Sequence, residues 1–296
     1  MEYDTSVLLK SIRTRAQLPD LSVFQEADLL DFATEELREK AFPFIMSLRS
    51  DFGLVTEEYV LDANRREYPL PVRAHGGKLR AARLFGTDGT RKPLPIHSIE
   101  AVLEQLITEG AYFEGDNLVF PQAPKTGDRL MLSYYLRPSR LVDAVTASKV
   151  LVVAPTNTEN QVLVTLIDPV NTPQGTPVDV YSPLPNFGTR GTDFFVANGT
   201  DPLTQRFIIG PGANRIRVGD IISEAGTSII PFLPADAHTY LAQLVVARCM
   251  DAMGDRSGLE SAQMDVERAE KSLRTLYAPR SEGEPQTLVN RTMLGV

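Results

Sequence analysis

The chain has 296 residues, of which 43% are hydrophobic and 23% charged, and its formal net charge is -8 at pH 7. That composition is ordinary for a soluble globular protein, and the length suggests about two domains. The acidic balance argues against a protein whose whole surface wraps nucleic acid, although it leaves room for a local basic face. The single cysteine, Cys249, excludes an internal disulfide and fits a reducing compartment. With no secretory signal and no apolar run of about 18 residues, we expect no membrane span.

The first 56 residues have the apolar spacing of helices. Thr5–Thr14 forms a short helical pattern with Val7, Leu8 and Ile12 on one side. A second, amphipathic helix is predicted from a capping box at Ser22 to a glycine stop near residue 53. Proline 43 lies inside this pattern and predicts a kink, because proline removes one backbone donor.

Residues 57–148 alternate between short strands and turns, and they contain a strong hairpin signal at Thr87-Asp88-Gly89. A short helix is predicted from Ser98 to Glu109, and we expect one apolar stripe to be its buried side. That stripe consists of Ile99, Val102, Leu103 and Leu106. Residues 149–233 read as mostly β, with Pro, Gly, Asn and Thr clusters spaced as in a small sandwich or barrel.

The helical period returns at Pro234, and a second C-terminal helix begins near Ser257. Apolar residues step by three and four along this helix, which predicts a narrow seam that packs on another helix, in its own chain or a neighbour's. The residues expected to make subunit contacts are Leu259, Val266, Leu273 and Leu276. After Leu276 the pattern stops. The tail 280–296 has too little apolar content to bury itself, so it is either loose or ordered by a partner.

These segments predict an α+β fold. Residues 1–56 and 234–279 would form a helical core, 57–148 a mixed α+β region, 149–233 a β-rich sandwich- or barrel-like insertion, and 280–296 an extended C-terminal tail. The reason is the order of patterns along the chain, since two helical ends that flank a β region are expected to pack together.

No catalytic motif occurs with the required spacing, and the three histidines, His75, His97 and His238, lie far apart in different elements. A Ser/His/Asp site needs no fixed chain order, but no local signature supports one. We therefore expect neither an enzyme nor a metal or other cofactor.

One charge cluster contrasts with the acidic background. Between Arg65 and Lys92 lie eight basic residues and two acidic ones. The residues proposed to face DNA or a partner are Arg66, Arg73, Lys78, Arg80 and Arg83. The plain alternative is a solvated hairpin face. The functional one is a surface that meets DNA phosphates or an acidic partner, without reading sequence.

Three segments and the tail resemble head-to-tail connector, or adaptor, proteins of tailed bacteriophages. The segments are Glu26-Ala-Asp-Leu-Leu-Asp-Phe-Ala-Thr-Glu-Glu-Leu-Arg38, Glu57-Glu-Tyr-Val-Leu61 and Tyr68-Pro-Leu-Pro-Val-Arg-Ala-His-Gly-Gly-Lys-Leu-Arg80. The run Arg280-Ser-Glu-Gly-Glu-Pro-Gln-Thr-Leu-Val-Asn-Arg291 is similar to the family's C-terminal tail. Residues 149–233 are poorly covered and would be a lineage-specific insertion.

The resemblance implies a virion structural protein, made in the host cytoplasm, that forms a homo-oligomeric ring, usually a dodecamer, in the neck under the portal protein. Such a ring continues the DNA channel used in ejection, and its far side meets tail, nozzle or fibre proteins. The tails of such proteins grip the portal. Here the portal-binding residues would be Arg280, Glu282, Pro285, Leu288, Val289, Asn290, Arg291, Met293 and Leu294.

An alternative from another class is a virion module in which the β-rich region binds a receptor, a carbohydrate or a tail-fibre component. That region has few aromatics for sugar stacking, namely Tyr181, Phe187, Phe194, Phe195 and Phe207. A third hypothesis is a hydrolase with an unrecognised site, but no catalytic motif in the sequence supports it.

Overall fold

A computed structural model describes residues 3–17, 23–105, 107–155, 161–167, 177–183, 189–201, 204–208 and 216–278. The chain is mixed α+β, as the sequence predicts, with several sheets between helical ends. The helices are α1 (Thr5–Arg15), α2 (Glu26–Glu36), α3 (Phe42–Leu48), α4 (Ile99–Gln105), α5 (His238–Met253) and α6 (Arg256–Tyr277). No helix among these described residues is long and apolar enough to cross a membrane.

The strands of the middle region precede those of the barrel in the chain. The former are β1 (Leu54–Val60), β2 (Glu67–Pro69), β3 (Ala74–Phe85), β4 (Arg91–Pro93), β5 (Ile96–His97), β6 (Ala111–Glu114), β7 (Asn117–Val119), β8 (Arg129–Leu136) and β9 (Arg140–Leu141). The latter are β10 (Ser148–Pro155), β11 (Gln161–Leu166), β12 (Pro177–Tyr181), β13 (Thr189–Asp201), β14 (Thr204–Ile208) and β15 (Ile221–Glu224), followed by the short β16 (Thr227–Ser228).

The N-terminal helices pack against α5, and α6 folds back on α5. Helix α1 begins at Asp4, whose Oδ1 accepts a hydrogen bond from the backbone N–H of Val7 at 3.0 Å. Helix α2 begins after Gln25, whose N–H donates to the Asp28 carboxylate at 2.9 Å. The observed capping box thus lies at Gln25 and Asp28, whereas Ser22 of the predicted box lies outside the described residues.

A π-helical turn, Leu37–Ala41, joins α2 to α3. Pro43 is the second residue of α3 and has no N–H to give to the carbonyl four residues back, and its ring would clash with that carbonyl. The wider turn avoids this conflict, because the N–H of Phe42 donates instead to the carbonyl of Leu37, five residues back. The irregularity predicted at Pro43 takes the form of this π turn, and the helix ends at Leu48, earlier than predicted.

Phe42 anchors the end of this helix in an aromatic cluster. Its ring lies 5.7 Å from that of Phe232 and 6.2 Å from that of Phe52, measured between centroids. Gly53 sits against this cluster with φ +74°, and a Cβ there would lie 2.8 Å from the Phe42 ring. A larger residue at 53 would therefore be strained and would also push into the core.

Two four-stranded sheets form a small sandwich in the middle of the chain. The first has the order β1-β8-β3-β4 and the second β2-β7-β6-β5, in which β5 and β6 are parallel. Side chains from both sheets meet in one apolar cluster. The cluster consists of Leu61, Tyr68, Ala82, Leu94, Ala111, Leu118, Phe120, Leu130 and Leu132. The hairpin predicted around Thr87-Asp88-Gly89 is confirmed as β3 and β4, with Arg83 opposite Pro93 and Phe85 opposite Arg91.

The stripe predicted to be the buried side of α4 is wrong. Leu103 is 72% exposed and Ile99 is 37% exposed, whereas Val102 is half-buried. Leu106 lies outside the described residues. The helix is only one and a half to two turns long and packs against β6 along a limited contact, so helical spacing alone does not bring its apolar residues inside.

Strands β10 to β15 close into an antiparallel barrel in the order β10-β11-β14-β13-β12-β15. Closure comes from the pairing of Lys149 with Ile221 and of Ser148 with Ile222. The interior is filled by apolar side chains, all but one of them aliphatic among the described residues. These are Val150, Val164, Leu166, Val178, Val180, Phe194, Ile216 and Ile222. The chain enters the barrel near residue 147 and leaves it before residue 230. At this junction, Ala147, Ile229 and Ile230 form an apolar cluster with Ile221.

Candidate interaction surfaces

A groove of about 970 Å³ runs between the first helices and the C-terminal helix pair. Its walls come from α2, the π turn and α3 on one side, and from α5 and α6 on the other. The aromatic side chains Phe32, Phe44 and Tyr240 line it together with the apolar Leu244, Leu259 and Val266. Charged residues border these apolar groups, so the groove combines an apolar floor with a polar rim.

Some of the charged groups at the groove pair with one another. Arg248 contacts the carboxylates of Glu35 and Glu36, and Lys40 Nζ lies 2.8 Å from the buried Glu36 Oε2. Tyr240 donates its hydroxyl hydrogen bond to Glu270 at 2.9 Å, which together with burial raises the pKa of Tyr240. These contacts tie the N-terminal helices to α5 and α5 to α6. The carboxylates are therefore engaged in holding the helices together.

The apolar seam predicted on α6 is used mainly within the chain. Leu273 is buried in the large helical core, and Leu259 and Val266 pack against that core while half-buried. Leu276, in contrast, is 57% exposed. Two partners were possible for this seam, and the structure shows contact with a helix of its own chain. Contact with a neighbouring subunit stays a prediction. Among the four residues predicted to make it, Leu276 is the one with an exposed side chain.

The basic cluster divides into an exposed and a buried part. Arg66, Lys78, Arg80 and Arg83 are exposed on β3 and the segment before β2. Arg83 lies opposite Met131 of β8, on the sheet face turned away from the sandwich core. Within the described part of the chain, none of these four side chains forms a salt bridge. They remain available to a partner, in agreement with a surface role.

Arg73 is the exception, and its predicted role on a DNA- or partner-facing surface is wrong. Its side chain is only 13% exposed and holds the fully buried carboxylate of Asp179 in a two-pronged contact, with both N–O distances 2.7 Å. Burial disfavours its charge, but the bonds to Asp179 outweigh this and raise the pKa of Arg73. The guanidinium is thus a buried structural group.

Asp179 is fully satisfied by its neighbours. Besides Arg73, its oxygens accept hydrogen bonds from the backbone N–H groups of Asp193 at 3.0 Å and Gly226 at 2.9 Å, and from the Tyr181 hydroxyl at 2.9 Å. Ser139 lies 2.7 Å from the Tyr181 oxygen and accepts from Arg73 at 3.0 Å. The network connects the β2–β3 segment and the segment after β8 to β12, to β13 and to the turn after β15.

Sequence reasoning missed this network, although one signal was present. Asp179 stands between Val178 and Val180 in a strand where every neighbour is apolar, and such a carboxylate needs a buried partner. Its partner lies 106 positions away in the chain. No local pattern selects Arg73 over the other arginines of the cluster.

The remaining reactive side chains do not converge. Burial raises the pKa of the Cys249 thiol to about 11, and burial lowers the pKa of His238 to about 4. The pKa of His75 is also lowered, by burial and by Arg137. Among the described residues, no group of three or more His, Cys, Asp or Glu side chains could hold a metal ion.

The segments that resemble phage connectors can be placed in this fold. The segment 26–38 forms α2, 57–61 ends β1, and 68–80 runs from β2 into β3, where Ala74 is buried in the helical core and Leu79 packs against it. The predicted portal-binding residues of 280–296 lie outside the described residues. No protein-family model matches this chain, and a comparison with curated proteins gives no match to its sequence.

Proposed function

We propose that the protein is a virion structural component of a tailed bacteriophage, a ring of identical subunits in the neck that docks under the portal and continues the DNA channel. In this role it has no enzymatic activity. The portal protein contacts one side of the ring, and tail, nozzle or fibre proteins contact the other. DNA passes through the lumen without sequence recognition.

The observation that carries the proposal is where the connector-like segments lie. Helix α2 and the start of β3 are far apart in the sequence, yet both contribute to the same core as α5 and α6. In the connector family, such a helical core bears the tail that grips the portal. The segments that prompted the resemblance therefore belong to one unit of this chain, which supports reading them together.

Helix α6 supports the same proposal. It is 22 residues long, is held to α5 along one side, and precedes the tail-like run 280–291 in the sequence. Near its end, Tyr277 is half-buried, and the guanidinium of Arg49 lies 5.7 Å from the centre of its ring. A helix fixed in this way would hold the start of the tail in one position in every subunit of a ring, and repetition around the ring would add avidity.

Deletion of residues 280–296 tests the proposal. The truncated chain should keep the thermal unfolding midpoint of the full chain, because the described residues of the helical core all precede residue 280, and it should lose binding to portal rings in a sedimentation assay. The quadruple substitution of Leu288, Val289, Met293 and Leu294 by serine should have the same effect. Undiminished portal binding by both variants would contradict the tail-docking role, and electron micrographs of the full chain with portal would show whether a ring forms.

The alternative, a virion module that binds through its β-rich region, draws on a different observation. Leu151, Ile167 and Val218 are each more than half exposed near one another on the barrel. The backbone brings them together, since Gly219 donates to the Val150 carbonyl at 2.8 Å and Ile167 to that of Lys149 at 2.9 Å. This apolar site would suit a protein partner such as a tail-fibre component. A Val218→Asp variant that still joins portal but loses tail components would favour it.

A further inference from the structure

The sandwich carries its charge in two separate surfaces of opposite sign. Residues 65–92 contain eight basic and two acidic residues, whereas residues 93–124 contain five acidic residues and no lysine or arginine. The first stretch supplies β2, β3 and β4, and the second supplies β5, α4, β6 and β7. Charge is therefore divided between neighbouring parts of one small unit, although the chain as a whole is acidic.

The basic surface lies on the outer face of the first sheet. Leu132 of β8 faces the sandwich core and pairs with Ala82, so Arg83, opposite Met131, points to the other side. Lys78 and Arg80 are exposed on the same strand. Arg91 extends this face on β4, with its guanidinium 5.2 Å from the centre of the Phe85 ring.

The acidic surface is built around α4, next to the second sheet, and it includes exposed apolar side chains. Glu100 and Glu104 are four residues apart, as are Ile99 and Leu103, so the two pairs form adjacent exposed stripes. Ile96 on the edge strand β5 and Phe113 on β6 are also exposed, at 40% and 43%. Apolar groups bordered by carboxylates are typical of an interface rather than of a solvated face.

The two surfaces cannot satisfy one another within one chain. The sheets meet across the core formed by Leu118, Leu130 and Leu132, so the outer face of the first sheet and the α4 surface are distinct. In the described residues, Arg80, Arg83, Glu100 and Glu104 form no salt bridge. A second copy of the chain offers each surface its complement, since the acidic surface of one copy matches the basic face of the next.

We propose that the basic face of β3 and β4 in one subunit docks on the acidic α4 surface of the next subunit. A contact between two different surfaces is head-to-tail, and it closes into a ring when the rotation per subunit divides a full turn. This inference rests on the proposed ring, and it deepens it by naming the two surfaces that join. The exposed Leu103 and Phe113 would be covered in the contact, while the charge pairs around them fix its register.

Charge reversal on each surface tests the contact, with sedimentation velocity as the measurement. The variant Arg80→Glu with Arg83→Glu and the variant Glu100→Lys with Glu104→Lys should each sediment as monomers under conditions where the unaltered chain assembles. A 1:1 mixture of the two variants should assemble again. The first variant has two acidic surfaces and the second has two basic ones, so each surface finds a surface of opposite charge on the other variant. All circular dichroism melts should match that of the unaltered chain, since these side chains are exposed.

Matched controls separate a specific contact from a change in net charge. Lys10→Glu with Lys271→Glu changes the charge by the same amount as the first variant, and Glu224→Lys with Glu260→Lys matches the second. All four residues are exposed and outside the sandwich, so both controls should assemble. If the two surface variants assembled, or if the 1:1 mixture stayed monomeric, the proposed contact would be wrong. The proposal that the unaltered chain forms a ring would still stand. An unaltered chain that stays monomeric at high concentration and low salt would instead overturn the ring itself, and the contact with it.

Discussion

At the scale of single residues, the pair Arg73 and Asp179 is the clearest case in which burial decides function. The guanidinium and the carboxylate are held by four further polar groups, so the charges are fully satisfied inside the protein. The pair fixes how the barrel sits on the rest of the chain, because Arg73 precedes β3 and Asp179 lies in β12.

The substitution Asp179→Asn leaves the buried Arg73 charge with only the exposed carboxylate of Asp193, 3.9 Å from Nη1, so we expect it to lower the free energy of unfolding by about 3 kcal/mol. Urea denaturation followed by circular dichroism measures this. The exposed pair of Arg129 with Glu58 is the control, and Glu58→Gln should cost no more than about 1 kcal/mol. The double variant Arg73→Met with Asp179→Asn leaves no buried charge and keeps an acceptor at position 179, so it should recover part of the loss, whereas equal losses in the single and double variants would show that charge burial is not the cause.

His238 gives the protein a pH-dependent stability. It is 1% exposed beside Tyr3, with ring centroids 4.3 Å apart, and burial lowers its pKa to about 4. An unfolded histidine titrates near ~6.5, so as the pH falls the unfolded chain takes up this proton first. The stabilisation is therefore complete above pH ~6.5 and is lost progressively down to pH ~4, by about 3 kcal/mol.

The variant His238→Gln removes this titration and should flatten the dependence of the unfolding free energy on pH over that range. Carboxylates also titrate near pH 4, so the quantity to compare is the difference between the two proteins at each pH. That difference should shrink as the pH is lowered from 7.5 to 4.5. A constant difference would mean that His238 has the same pKa in the folded and the unfolded chain.

At the scale of elements, α6 shows that the apolar spacing of a helix predicts a packing side but does not identify what packs against it. The spacing of three and four residues correctly predicts a helix with one packing side, but it is equally compatible with contact to α5 or to another subunit. In the structure, Leu273 is buried in the core of its own chain, and Leu276 is exposed at the end of the same helix.

We therefore expect Leu273→Ala to cost about 2–5 kcal/mol of unfolding free energy, since it opens a cavity in the core, and Leu276→Ala to change it by less than ~0.5 kcal/mol. Chemical denaturation measures both. If Leu276 contacts a neighbouring subunit, its alanine variant should weaken assembly in sedimentation velocity without changing the unfolding curve. A stability unaffected by Leu273→Ala would contradict the intramolecular packing.

Local patterns predicted the elements that local forces determine. Alternating side chains and turn residues identified the β3–β4 hairpin, and apolar spacing identified α5 and α6. The π turn before Pro43 follows from proline chemistry, but its exact form depends on Phe42 docking against Phe232, which is distant in the sequence. Barrel closure and the pairing of Arg73 with Asp179 join residues across long loops, and no sequence window contains both partners. The short α4 was misjudged because its packing partner covers only part of it.

At the scale of the whole molecule, the distribution of charge matters more than its sum. The chain is acidic, with a net charge of -8, yet the basic face of β3 and β4 is exposed in a single subunit. If neighbouring acidic surfaces cover that face, an assembled ring presents mainly acidic surface. Such a ring would repel phosphate backbones and let DNA pass without retaining it.

Duplex DNA binding distinguishes these states. The assembled chain should bind DNA with a dissociation constant larger than about 10⁻⁴ M at physiological salt. That affinity is lower than the affinity usual for non-specific binders. The Glu100→Lys with Glu104→Lys variant, as a monomer, leaves the basic face uncovered and should bind at least about tenfold more tightly, with the affinity falling as salt rises. Glu224→Lys with Glu260→Lys has the same net charge but stays assembled, so it should bind as weakly as the unaltered chain. Tight binding by the unaltered assembled chain would mean that the basic face lines the DNA channel instead of joining subunits.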